Sequence, residues 1–202
     1  MKFEELKAVI KDTQTVLVLQ ADNPDGDSLG STLALEAILS ELGKTVIMVC
    51  SVDIPAHLRY LPGWDRVVKE VPNSFDATII VDTSTETLFE NAHGTQGLEW
   101  IKTKQVVVLD HHVDSPGISF ATVSINEPVV ATGELIYHIA KDLNWPLPLD
   151  ACEMLATSIM SDSLGLTTEA TTPSSFRTMA DLVELGVDMS KLDAARRELM
   201  KK

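Results

Sequence analysis

Carboxylates and imidazoles gather at four points of this sequence. Asp25 and Asp27 share the segment DNPDGDSLGS, Asp82 ends the run IIVD, Asp110, His111 and His112 form a triplet in VVVLDHHVDSPG, and Asp162 lies in IMSDSLGL. Singly, each is ordinary, because an Asp in a turn is usually a cap or a turn former. Together they describe a concentration of negative charge that is unfavourable unless cations occupy it. Oxygen ligands with one or two imidazoles suit a hard or borderline divalent ion, Mn²⁺ first and Mg²⁺ next, ahead of Zn²⁺. An Asp-x-Asp pair across a glycine can serve neighbouring metals, and a shared carboxylate such as Asp82 can bridge them. Two ions about 3.5–4 Å apart polarise a water and stabilise the attacking and leaving oxygens of an in-line phosphoryl displacement.

Such residues need elements that bring them together. Short β-branched runs occur at 15–20, 45–51, 77–83, 105–111 and, more weakly, 119–126, alternating with helical patterns. Four of the runs are almost continuously apolar, as expected of strands covered on both faces. Between the first two, Leu33, Ala34, Ala37, Ile38 and Leu42 repeat at helical spacing, with Gly43 where a helix stop belongs. After residue 128 the texture turns helical, in four amphipathic stretches separated by Pro, Gly or Thr-rich turns. This pattern predicts an α/β fold: an open, mainly parallel sheet with helices on both faces, followed by a helical C-terminal part. The carboxyl ends of parallel strands face one crevice, so three strand ends deliver acids and imidazoles to one place. The glycine-rich turn before Ser28–Ser31 opens a helix whose free amides favour an anion.

Composition narrows the function classes. The formal net charge of −14 repels nucleic acid duplexes and acidic membranes, unless bound cations offset part of it. No apolar run approaches the roughly 20 residues needed to span a bilayer, and MKFEELKAVIKD lacks the apolar core of a signal peptide. Cys50 and Cys152 stand alone and read as buried thiols of a reducing cytoplasm. His57, His93 and His138 lie outside the four segments and read as structural or surface residues. A dinucleotide-binding oxidoreductase wants G-x-G-x-x-G after the first strand, and a serine hydrolase wants G-x-S-x-G; neither is present.

The segments NPDGDSLGS, IIVDTS, VVVLDHHVDSPG and IMSDSLGL, in that order and spacing, resemble the four motifs of the DHH phosphoesterase superfamily, and most closely its nanoRNase and pAp-phosphatase branch. The resemblance runs from about residue 13 to 190 and includes IPAHLRYLPG, INEPVVATGELIY and TTPSSFRTMADLVELG. It implies that Asp25, Asp27, Asp82, His111 and Asp162 are metal ligands, with Asp82 bridging and with His111 and Asp162 sharing the second metal with Asp27. It places His112 beside the scissile phosphate, where it contacts the phosphate or protonates the leaving group. Asp110 would orient an imidazole from behind. Ser31 and Arg177 are candidate substrate contacts, and Thr171 and Thr172 lie near the latter.

Two departures bear on these expectations. The family commonly has a His four residues before the Asp matched by Asp25; here Ala21 stands there, and Asp22, or Gln20, is a candidate substitute ligand. Most members also carry a second, substrate-gripping domain. The expected organisation is therefore a catalytic domain at 1–188 and the start of a linker helix at 189–202. The resulting expectation is a two-metal phosphoesterase hydrolysing short single-stranded RNA or DNA, or a nucleotide phosphate, by metal-activated water. The alternatives are a phosphoanhydride hydrolase of the pyrophosphatase or exopolyphosphatase type, and a metal- or nucleotide-binding module with weak catalysis. No membrane partner is expected, and a homodimer stays open.

Overall fold

The computed structural model describes residues 3–83, 85–89, 91, 94–112 and 116–199, side chains 198 and 199 excepted. His93, residues 113–115 of the third motif and the last three residues of the expected linker lie outside the described residues.

All five runs form strands: β1 (Thr15–Leu19), β2 (Thr45–Val49), β3 (Ala77–Val81), β4 (Gln105–Asp110) and β5 (Val123–Asn126). They pair in parallel in the order β2-β1-β3-β4-β5. β3 is buried at every position, which explains its unbroken Ile and Val content. At the edge, β5 alternates half-buried Val123 and Ile125 with exposed Ser124 and Asn126, so its sequence signal is the weakest.

Helices cover both faces. On one face, Val16, Val18, Ile79, Val81, Val107 and Leu109 pack into the larger core with α1 (Glu4–Asp12), α2 (Gly26–Glu41), α4 (Thr132–Leu143) and α5 (Leu149–Asp162). On the other, Leu17, Leu19, Ile80, Val106 and Val108 meet Leu98 and Ile101 of the seven-residue α3 (Gln96–Lys102). The helical C-terminal part continues as α6 (Pro173–Glu184) and α7 (Met189–Leu199). The expected α/β architecture is the observed one.

Two packing details position the site. Gly43 ends α2 at φ 75°, a left-handed conformation that only glycine adopts without steric cost. At the other end of α2, a Cβ on Gly30 would stand 2.9 Å from the Met154 carbonyl oxygen and 3.2 Å from Ser158 Cβ, so a bare backbone lets α2 lie directly on α5. The N-terminus of α2 is thereby held against the C-terminus of α5. Strand order reverses between β1 and β3, and the crevice beyond their carboxyl ends is where an open α/β sheet binds ligands. Cys50 and Cys152 are free and buried, and burial pushes both thiols up, Cys152 to about 11. Among the described residues no helix is long and apolar enough to cross a membrane.

Candidate metal centre

The crevice holds a cavity of about 100 Å³ lined by Asp25, Asp82, His112 and Asp162, with Ala21 and Leu88 as its hydrocarbon wall. Asp25 is the N-cap of α2: its carboxylate accepts the Ser28 amide at 2.9 Å, and the Asp25 amide donates to Ser28 Oγ at 2.9 Å. This reciprocal box fixes where the first turn of α2 begins, and so where Asp27 points. Asp82 follows β3 with φ 52°, in the left-handed region, while its amide donates to the Leu109 carbonyl at 2.9 Å. Asp tolerates that region better than most residues, and strained backbone concentrates where function demands it. Asp162 is the last residue of α5.

Asp27 is fully buried and almost saturated with donors. Its Oδ1 accepts from Ser31 Oγ at 3.1 Å, the Gly133 amide at 3.3 Å and the Ser158 hydroxyl, and its Oδ2 from the Thr132 amide at 2.8 Å. These bonds come from α2, α4 and α5, and together they set the carboxylate's plane.

His111 is where the carboxylates converge. Its Nε2 lies 3.5 Å from Asp27 Oδ2, 3.5 Å from Asp82 Oδ1 and 3.3 Å from Asp162 Oδ2. Its Nδ1 lies 3.2 Å from the Val129 carbonyl. A carbonyl only accepts, so Nδ1 carries the proton and Nε2 faces three acids. Nε2 is buried without a hydrogen-bond partner. In the neutral tautomer its lone pair points at three carboxylates, an arrangement that a divalent cation among the four groups would satisfy. The donor set fits such an ion. Among the described residues, Asp27, His111 and Asp162, and also Asp82, His111 and His112, offer ligand atoms all within 4.8 Å of one another. Asp25 stands outside both groupings.

The charges bear the same stamp. Burial, then the Asp27 charge, hold the Asp82 carboxyl well above its usual range. Burial and Asp27 likewise raise Asp162 to about 6. Burial alone would depress the His111 imidazole; the adjacent Asp82 carboxylate and the charges of Asp27 and Asp162 outweigh it and raise it to about 9. Without a cation, the cluster thus stores protons that a cation would displace.

His112 behaves differently. Its Nδ1 lies 2.7 Å from Asp110 Oδ1, and the His111 amide donates to the same oxygen at 2.9 Å. Asp110 is buried, and its hydrogen bond raises the His112 imidazole. Nε2 is then the free nitrogen of a half-exposed ring on the cavity wall.

The remaining sequence candidates fall farther out. Ser31 is fully enclosed, with its hydroxyl donated to Asp27 Oδ1. Arg177 is exposed on α6 and is not part of the cavity wall; Thr172 is the N-cap of that helix. Asp22 Oδ2 accepts from the Asn91 amide at 2.8 Å and its side chain at 3.0 Å, so one oxygen of the candidate substitute ligand is engaged elsewhere. Gln20 is fully buried with both amide atoms unpartnered. The sequence reading missed Thr132, Gly133 and Ser158, the groups that hold Asp27. The signal for Ser158 was a hydroxyl one turn before Asp162 in an otherwise apolar helix face.

Known proteins share this arrangement of chain. Against curated proteins, the chain is 27% identical over 173 residues to a bifunctional oligoribonuclease and PAP phosphatase of Thermus thermophilus, covering 84% of this chain and 50% of that one. It is 26% identical to a probable manganese-dependent inorganic pyrophosphatase of Lactobacillus delbrueckii, covering 85% and 55%. The chain thus spans about half the length of the curated relatives it matches. An exopolyphosphatase-related protein from Bacteroides fragilis superposes with a TM-score of 0.87 at 17% identity, covering 96% of this chain and 59% of that one, a likeness of fold alone. The model of the DHH family, N-terminal domain, matches residues 15–161, the whole sheet with α2, α4 and α5 up to the residue before Asp162, and the chain belongs to that family.

Proposed function

We propose that this chain is the catalytic domain of a metal-dependent phosphoesterase that cleaves short oligonucleotides or small nucleotide phosphates. The observation that carries this reading is His111 Nε2, buried, unpartnered and within 3.3–3.5 Å of three carboxylates. Asp27, His111 and Asp162 would hold one divalent cation, Asp82 would be shared, and Asp25 would serve a second; Mn²⁺ is the first choice and Mg²⁺ the next. When bound, such ions lower the pKa of a water and neutralise charge on phosphoryl oxygens.

The chain's own residues do the rest. Asp27, fixed by four donors, keeps the cluster in register. The amino end of α2 adds a positive dipole beside a substrate phosphate. His112 as the imidazolium, which its hydrogen bond to Asp110 favours, donates Nδ1–H to Asp110 and carries its second ring proton on Nε2. Water adds to phosphorus, the bond to the leaving oxygen breaks, and that oxygen takes the His112 proton; the proton from water leaves to solvent. The match to the oligoribonuclease and PAP phosphatase relative supports the nucleotide substrate, and the pyrophosphatase relatives supply the rival.

The test is hydrolysis of bis-p-nitrophenyl phosphate, a short RNA and inorganic pyrophosphate, each with Mn²⁺ and with chelator. Mn²⁺-dependent release from the RNA or diester, absent with chelator, is the expected result. Release from pyrophosphate alone would replace the substrate class, and no release from any would remove the catalytic reading of this chain.

A further inference from the structure

The carbonyl that orients His111 belongs to a peptide unit held from its other side by a buried acid. His111 Nδ1 donates to Val129 O at 3.2 Å. The N–H of the same peptide unit, on Val130, donates to Glu134 Oε2 at 3.1 Å. Glu134 is fully buried in the first turn of α4, and its Oε2 also accepts from Ser175 Oγ of α6 at 2.9 Å. Its Oε1 has no hydrogen-bond partner and lies 3.9 Å from His138 Nε2. The chain of contacts therefore runs from Ser175 through Glu134, the 129–130 peptide and the His111 ring to the nitrogen that faces Asp27, Asp82 and Asp162.

We propose that Glu134 is a positioning residue for the metal centre, acting on His111 through the Val129–Val130 peptide. A carboxylate on an amide N–H draws electron density toward the carbonyl oxygen of that amide, because hydrogen bonds in series polarise one another. The Val129 oxygen becomes a stronger acceptor for Nδ1–H, and a stronger bond there makes Nε2 a better donor to a cation and fixes the ring's rotation. Helix capping alone does not account for the arrangement. A capping box would take the N–H of the N-cap residue Ala131; Glu134 instead takes the Val130 N–H one residue earlier, Ser175 from a different helix also fixes its carboxylate, and the bonded peptide is the one whose oxygen holds His111.

The inference rests on His111 being a metal ligand, so the experiment carries a control for that. Metal-free wild type, Glu134→Gln and His111→Ala are titrated with Mn²⁺ by calorimetry, and each is melted in chelator. Gln keeps the shape and can still accept from Val130 while its amide nitrogen takes the place of Oε1 beside His138. The expected result is a Kd for Mn²⁺ raised about tenfold in Glu134→Gln, the lower end for outer-shell changes at metal sites, with the chelator melt unchanged. Because a shifted melt would leave affinity ambiguous, the ¹H resonance of His111 Nδ1–H is also recorded in the Zn²⁺-loaded protein. It moves upfield in Glu134→Gln as the bond to Val129 O weakens. Wild-type affinity, or an unmoved resonance, in Glu134→Gln overturns the proposal. Wild-type affinity in His111→Ala overturns instead the metal-ligand assignment beneath it.

Discussion

Asp27 and Thr132, 105 positions apart in the chain, are joined by a 2.8 Å bond from the Thr132 amide to Asp27 Oδ2. With the Gly133 amide and the Ser31 and Ser158 hydroxyls on Oδ1, the carboxylate ties α2 to the start of α4 and to α5. A candidate ligand is here also a structural tie, and the two roles respond differently to substitution. Asp27→Asn turns an NH₂ toward at least one of those donors, leaving buried groups unpaired at about 1–3 kcal/mol. The variant is expected to melt lower even in chelator, besides losing metal affinity. A chelator melt equal to wild type would mean the network rearranges freely around the amide.

Asp82 is expected to give the opposite outcome. Among the described residues its Oδ1 meets, apart from the imidazoles, only Thr132 Oγ1, at 3.3 Å, and burial and Asp27 already hold its carboxyl well above the usual range. Its backbone sits at φ 52°, which Asn also tolerates. Asp82→Asn should therefore fold as well as wild type in chelator, or better, while losing all Mn²⁺-dependent hydrolysis. Retained hydrolysis would remove Asp82 from the shared-ligand position.

Much of this was legible in the sequence, for a physical reason. Asp82, Asp110 and His111 end apolar runs, which read as strands of a sheet covered on both faces, and the carboxyl end of such a strand opens on the crevice. What holds those residues was not legible. Ser31, in the first turns of the helix after a glycine-rich turn, reads as a substrate contact; that its hydroxyl, one helical turn beyond Asp27, bonds that carboxylate was not visible. Glu134 sits in a segment that reads as an ordinary amphipathic helix, and nothing local tells that its carboxylate meets Ser175, 41 residues later. Spacing along one element is visible in a sequence, whereas the partner that a buried polar group finds on another element is fixed only by packing.

Asp162 makes stability depend on pH in the metal-free protein. Its carboxyl is raised to about 6, from an ordinary 3.8, by burial and by Asp27. An acid with a raised folded-state pKa contributes stability that is present below about pH 4 and lost as pH rises through about 6. The side chain is one-third exposed, so the loss is discounted to about 1 kcal/mol. In chelator, Asp162→Asn should gain on wild type between pH 4 and 7, as read by thermal melts at both ends. In saturating Mn²⁺ at pH 7 the order should reverse, because the wild-type carboxylate then has a cation to face. An unreversed order would mean Asp162 holds no metal.

The two sides of the cavity are unequally equipped, and that leads to the last prediction. Around His111 Nε2 three carboxylates converge, whereas Asp25 has one oxygen committed to the Ser28 amide and faces a wall that includes Ala21 and Leu88. Asp22 does not fill the gap with its Oδ2, which Asn91 engages. A cation beside Asp25 would therefore rely on Asp25, Asp82, solvent and at most the one remaining Asp22 oxygen, Oδ1, which is buried without a hydrogen-bond partner, and calorimetry should show one tight and one weak equivalent of Mn²⁺. Ala21→His places an imidazole on the bare wall and should tighten the weak equivalent by roughly tenfold, about 1.4 kcal/mol, leaving the tight one unchanged. The competing account, in which hydrocarbon at position 21 serves to exclude a second ion, predicts one equivalent in wild type and a second only in Ala21→His. A change in the tight equivalent instead would move the first cation away from His111 and toward Asp25.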